Sequence, residues 1–66
     1  MKPIEFEYTN WRGERATRRA IPISIAWAST DYHPEPQWLM TARDLEKNAT
    51  RDFALRDMEN IREVES

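Results

Sequence analysis

Eight arginines, three tryptophans, two tyrosines and a single histidine are the residues of this 66-residue chain with the most to offer a ligand. Arginine carries a permanent charge on a planar fork that matches phosphate and carboxylate and stacks on aromatic rings, so the chemistry suggested is the holding of an anion beside a ring. Arg12, Arg15, Arg18 and Arg19 lie close together with only Glu14 among them, whereas seven acids accompany Lys47, Arg51, Arg56 and Arg62 from Asp44 onward. The first third of the chain is basic and the tail acidic. Bond-making chemistry finds little support. His33 with Asp31, Ser29 or Ser24 would have to supply base, orienter and nucleophile, yet neighbouring loop residues seldom converge on one substrate and no oxyanion cradle is visible. The only glycine, Gly13, is too few for a glycine-rich phosphate loop, and no HExxH or paired-carboxylate motif is present. Without cysteine and with one histidine, thiolate and multi-histidine metal sites are excluded. The expectation is a non-enzyme with no catalytic residue, metal or cofactor.

The net charge of −2 is opposite in sign to the basic balance that drives general nucleic-acid coating, so any anion site must be local. Arg18 and Arg19 are candidates for such a site; the bland alternative is a solvated strand face carrying ordinary surface arginines. Trp11 sits beside Arg12 in a turn-forming stretch, where an indole is partly exposed and open to a partner. The other tryptophans and the tyrosines are more simply core in a chain this small. Tyr32-His33-Pro34-Glu35-Pro36 places an aromatic, an imidazole and a carboxylate on one restrained loop. Its functional reading is a lid or specificity loop, with His33 among the ligand contacts; its plain reading is a connection stiffened by proline.

Positioning these residues falls to short extended segments. Ile4, Phe6 and Tyr8 alternate with Glu5, Glu7 and Thr9, the period of a half-buried strand. Asn10 to Gly13 is a hairpin turn, in which the asparagine and the glycine supply tolerance of positive φ. Glu14 to Ala20 is extended and runs into Ile21, Ile23, Ile25 and Trp27 on one face, with small residues on the other that suggest close cover by another segment. Pro22 cannot donate to a ladder and marks a bend, a bulge or a strand edge, so a strongly bent second strand is predicted. Ser29 to Pro36 is a loop, Gln37 to Arg43 a strand, Asp44 to Asn48 a turn with Asn48 left-handed, and Ala49 to Phe53 a final strand. From Ala54 the spacing of Leu55, Met58, Ile61 and Val64 predicts a short amphipathic helix that closes the chain. One domain covers residues 1–66, since two would leave neither with an interior. Two hairpins, a bent strand and a helix bury a shared face best by curling into a mainly β, SH3-like or Sm-like, partly open antiparallel barrel of four to five strands.

Phe6-Glu7-Tyr8 before a turn, Gly13, Arg18-Arg19 ahead of Pro22, Trp38-Leu39-Met40-Thr41-Ala42-Arg43-Asp44, then Arg51-Asp52-Phe53-Ala54-Leu55 and Met58 together resemble the WYL domain family. The resemblance covers Phe6 to Ile61, and its most specific part is the Arg-x-Phe-x-Leu stretch with the spaced Trp and Asp. It implies an Sm-like SH3-type barrel that, in bacterial transcription regulators, usually sits behind a helix-turn-helix and senses or binds a ligand, a nucleotide or a nucleic-acid strand. These sixty-six residues hold no such DNA-reading element. Leu39 and Met40 stand where the family triplet has Tyr and Leu, so a contact made through that tyrosine is lost. Arg51 matches the family's arginine and carries over as a ligand-binding residue, with Arg19 as a second.

The leading expectation is therefore a non-enzymatic regulatory module that binds a small anionic ligand, a nucleotide or a short single-stranded nucleic acid through Arg51, Arg19, Arg18, Arg12, Trp11 and His33. The alternative is a protein-interaction module, a homodimer or an adaptor to a larger regulator, whose apolar strand face and acidic helix meet another chain. The longest apolar run, Ile21 to Ala28, is too short to span a bilayer, so no membrane role and a cytoplasmic location are expected.

Overall fold

The structure is a computed structural model that describes residues 2–64. Five antiparallel strands form one open sheet: β1 (Ile4–Thr9), β2 (Arg15–Ala28), β3 (Gln37–Asp44), β4 (Ala49–Ala54) and β5 (Met58–Glu63), with a single 3-10 turn at Leu55–Asp57. Their order is β4-β3-β2-β1-β5, so each strand lies beside its neighbour in sequence except β5, which returns to pair with β1. The alternation in β1 sends Phe6 and Tyr8 inward. The turn that follows is held by Asn10, whose side-chain oxygen accepts hydrogen bonds from the amides of Arg12 and Glu14. Positive φ is adopted there by Gly13 alone, at 82°, and Asn10 contributes as an acceptor instead.

Met40, Ala42 and Phe53, carried by β3 and β4, meet Phe6, Tyr8, Ala20 and Met58 to form the core, with Ile4 and Leu55 packed against it. Phe6, Tyr8 and Phe53 form an edge-to-face cluster with ring centroids 5.0 to 6.2 Å apart, the arrangement in which positive ring edges meet negative faces. Asn48 is left-handed, with φ 53°, as its place in the β3–β4 turn requires.

Two expectations are corrected. The C-terminal helix is absent: Leu55 and Met58 are three residues apart because one 3-10 turn separates them, and the chain then extends as β5. Ile61, which a helix would have buried, is exposed. Asn60, with φ 54°, and the register shift between Glu5 and Glu7 mark an irregularity in β5 whose spacing imitates a helical period. Ala49–Ala54 is accordingly not the last strand.

The second correction concerns the apolar half of β2. The register shifts between Pro22 and Ser24, as a bulge requires, but the strand continues unbroken. Beyond the bulge no segment among the described residues covers either face: Ile23, Ile25, Trp27 and the small residues between them are all exposed. The cause lies in β1, which starts at Ile4 opposite Ala20 and therefore flanks only the first half of β2. Trp38 is likewise exposed and meets Trp27 edge-on at 5.6 Å; with Trp11 also exposed, all three tryptophans lie outside the core.

Candidate functional site

The core-facing side of β1, β2 and β4 carries Tyr8 of the aromatic cluster and, beside it, Arg18 and Arg51, since Phe6 pairs with Arg18 and Ala42 with Arg51 across the ladders and paired residues share a face. The β1–β2 turn brings Trp11 and Arg12, and the Ser29–Pro36 loop brings Tyr32 and His33. Together they line a cleft of about 610 Å³. Five of the six residues singled out in the sequence, Arg51, Arg18, Trp11, Arg12 and His33, thus stand around one concavity. The sixth does not. Arg19 alternates to the opposite face, where its Nε donates to Glu5 at 3.0 Å and Glu5 also accepts from Arg62 at 2.6 Å. Those hydrogen bonds, Arg19's first, hold the Glu5 carboxyl below its ordinary pKa, and Arg62's own bonds to Glu5 and then Glu7 raise the pKa of its guanidinium.

Arg18 is anchored from behind. Asp44 is fully buried at the end of β3; one carboxylate oxygen accepts from the amides of Glu46 and Lys47, and the other has no hydrogen bond and lies 3.7 Å from the Arg18 guanidinium. A buried carboxylate cannot reach water, so its second oxygen depends on the arginine, and the arginine is held at the cleft wall. Arg12 lies over the Trp11 ring, 4.9 Å from its centroid, and Trp11 is 6.0 Å from the Tyr32 ring. Both aromatic side chains are more than half exposed, with an indole and a phenol facing solvent at the cleft rim.

Acidic side chains of the lining are partly engaged elsewhere. Asp52 accepts from the Thr41 hydroxyl at 2.6 Å on the far face of β4, and Glu14 accepts from the Asn10 amide group at 3.1 Å. Asp31 completes the acidic lining. His33 is tied to its own loop through its backbone amide, which donates to Thr30, and its Nε2 lies 3.5 Å from the Tyr8 hydroxyl. Neither Asp31, Ser29 nor Ser24 hydrogen-bonds to the imidazole among the described residues. The Tyr8 hydroxyl accepts from the buried Ala54 amide at 3.0 Å, and burial pushes its pKa up, so this phenol stays a neutral strut between β1 and the end of β4.

Tyr8, Asn10 and Asp44 are members of this site that sequence reasoning missed, whereas the sequence places Tyr32 on the candidate lid loop but not among the ligand contacts. Tyr8 reads as core by alternation, and nothing local shows that its hydroxyl reaches a residue 46 positions away. Asp44 had a usable signal, since an aspartate that ends a strand and opens a turn often accepts from amides two and three residues on. Its pairing with Arg18 needs the β2–β3 register, in which Ala20 faces Asp44. No group of three or more metal-ligating side chains occurs among the described residues. No protein-family model and no curated protein matches this chain.

Proposed function

We propose that the protein is a non-enzymatic binding module of the SH3-like or Sm-like small-barrel type, akin to WYL domains, whose cleft takes an anionic ligand bearing a phosphate beside a planar ring: a nucleotide or a short single strand. The single observation that carries this reading is the convergence of Arg12, Arg18 and Arg51 with the exposed Trp11–Tyr32 pair on one concavity. Guanidinium forks supply charge-assisted hydrogen bonds to phosphate, and an exposed indole supplies a stacking surface, the combination that tolerates many base sequences. The strand order, the bulge in β2 and the 3-10 turn ahead of β5 support the barrel part of the reading.

Arg18 presents its fork from a fixed base, because Asp44 restrains it before a ligand arrives, which reduces the entropy lost on binding. Arg51 and Arg12 are free of ion pairs among the described residues and can reorient toward phosphate. His33 lies at the same wall and adds a donor. Arg19, engaged with Glu5 on the other face, has no part in the site.

Amide and indole chemical shifts recorded against mononucleotides, inorganic phosphate and short oligonucleotides test this. Shifts confined to Trp11, Arg12, Arg18, Tyr32, Arg51 and their neighbours, with Arg19 unmoved, are expected. A response to phosphate alone identifies the anion as sufficient; a response only to nucleotides or oligonucleotides identifies the ring as essential. Absence of any response around the cleft refutes the reading.

A further inference from the structure

Residues Ile23 to Ala28 are six consecutive strand residues, all exposed and none charged. One edge of this segment pairs with β3 from Ser24 opposite Thr41 to Ala28 opposite Gln37. The other edge has no partner strand among the described residues, because β1 pairs with β2 only as far as Ala20. Natural sheets blunt such an edge with lysine, proline or a bulge. Here those devices stop early. The Arg19 carbonyl accepts from the Leu45 amide, which fixes the alternation so that Pro22 turns toward the free side, and the bulge follows directly after it. From Ser24 to Ala28 neither charge nor proline protects the edge, while Ile25 and Trp27 are 56% and 61% exposed and Trp38 beside them is 53% exposed.

We infer that this edge is where a second copy of the chain adds, strand to strand, to make a homodimer through a continuous antiparallel sheet. The occupant must be an extended segment, since what is open is a backbone edge, and it must be uncharged, since a charge placed along Ile23 to Ala28 would meet no counter-charge. The segment itself meets both requirements, and a net charge of only −2 per chain opposes association weakly. Symmetry then sets the register. A twofold axis that makes two strands antiparallel in one sheet stands perpendicular to it, so facing residues must share a face and the axis passes through a residue position. Centring on Ile25 sets that residue against its own copy and Ile23 against Trp27 of the partner subunit, and keeps Pro22 out of the central pairs. None of the cleft residues lies in this segment, so both copies keep their clefts open.

Sedimentation velocity on the whole chain from low micromolar to near millimolar concentration tests the inference, together with Ile25→Lys, Ile25→Glu and their equimolar mixture. Ile25 is solvent-exposed in the single chain, so both substitutions leave the core untouched, and the amide signals of Phe6 and Phe53 verify this. A wild-type dimer, a loss of at least tenfold in dimer affinity for each variant alone, and recovery in the mixture, where Lys faces Glu, are expected. A wild-type chain monomeric throughout overturns the inference, as does a dimer indifferent to both substitutions or one that the mixture fails to restore. Should either variant fail to fold, amide exchange of the wild type decides: protection of the Ile25 and Trp27 amides, which face the free edge, that rises with concentration supports the pairing, and protection independent of concentration overturns it.

Discussion

Replacing Asp44 by Asn isolates the feature that ties the fold to the cleft. The side-chain oxygen that accepts from Glu46 and Lys47 can be kept by the amide, so the β3–β4 turn retains its caps. What is lost is the negative charge 3.7 Å from Arg18, at a position fully buried on one side and 16% exposed on the other. Removing one partner of a fully buried pair costs about 3–5 kcal/mol, but Arg18 opens onto the cleft and can be hydrated there, which brings the expected loss to about 1–3 kcal/mol. For a domain of this size 1 kcal/mol corresponds to about 4–8 °C in Tm, so a fall of roughly 10 °C is expected. Equilibrium urea unfolding followed by far-ultraviolet circular dichroism gives the free energy directly, with an unchanged m-value showing that the unfolded state is unaltered. A double-mutant cycle with Arg18→Met separates the pair from the turn, and a coupling of about 1 kcal/mol or more is expected. Asp44→Asn within about 0.5 kcal/mol of wild type, or a coupling near zero, refutes the anchoring of Arg18 by Asp44.

Tyr8→Phe removes the acceptor of the buried Ala54 amide and leaves that donor unpaired, a loss of about 1–3 kcal/mol readable in the same urea experiment. Gly13→Ala meets open space but must hold a φ of +82°, so a cost of about 1–2 kcal/mol comes from backbone strain alone and is measured as a lower Tm. Glu5 titrates lower when folded than its ordinary value of 4.5, because Arg19 and Arg62 hydrogen-bond to its ionised form. Its contribution is therefore fully present above that pH and is lost as pH falls through the folded-state pKa; urea midpoints should drop in that acid range for wild type and drop less for Glu5→Gln. Trp11→Ala, at an exposed turn position, should leave stability within about 0.5 kcal/mol. It should also weaken nucleotide binding by about 1–3 kcal/mol in a calorimetric titration, the worth of one stacked base.

Local pattern sufficed for much of this molecule. The alternation Ile4 to Thr9, the turns at Asn10 to Gly13 and Asp44 to Asn48, and the loop Ser29 to Pro36 are each determined by residues within a few positions of one another, and all are present in the structure. The errors arose where the deciding partner is remote. Leu55, Met58, Ile61 and Val64 have a helical spacing, but the chain at Met58 gains a ladder to Tyr8 across the whole sequence, and that pairing outweighs a short helix with little to bury against. The apolar face from Ile21 to Trp27 looks like core because hydrophobicity signals burial without saying by what; where β1 begins decides it. Arg18 and Arg19 are adjacent and chemically identical, yet the pleat sends one to the cleft and the other to Glu5. Only the register of β1 against β2 distinguishes them.

Three guanidinium groups sharing one cleft make binding of a phosphate-bearing ligand salt-dependent. With the tightest-binding oligonucleotide of the titration panel, each phosphate neutralised on a single strand contributes about −0.7 to the slope of log affinity against log salt concentration, so three contacts give a slope near −2. Arg51→Gln should make that slope shallower by about 0.7 and Arg19→Gln should leave it unchanged. A slope near zero for the wild type, or one that responds to Arg19 and ignores Arg51, contradicts the account.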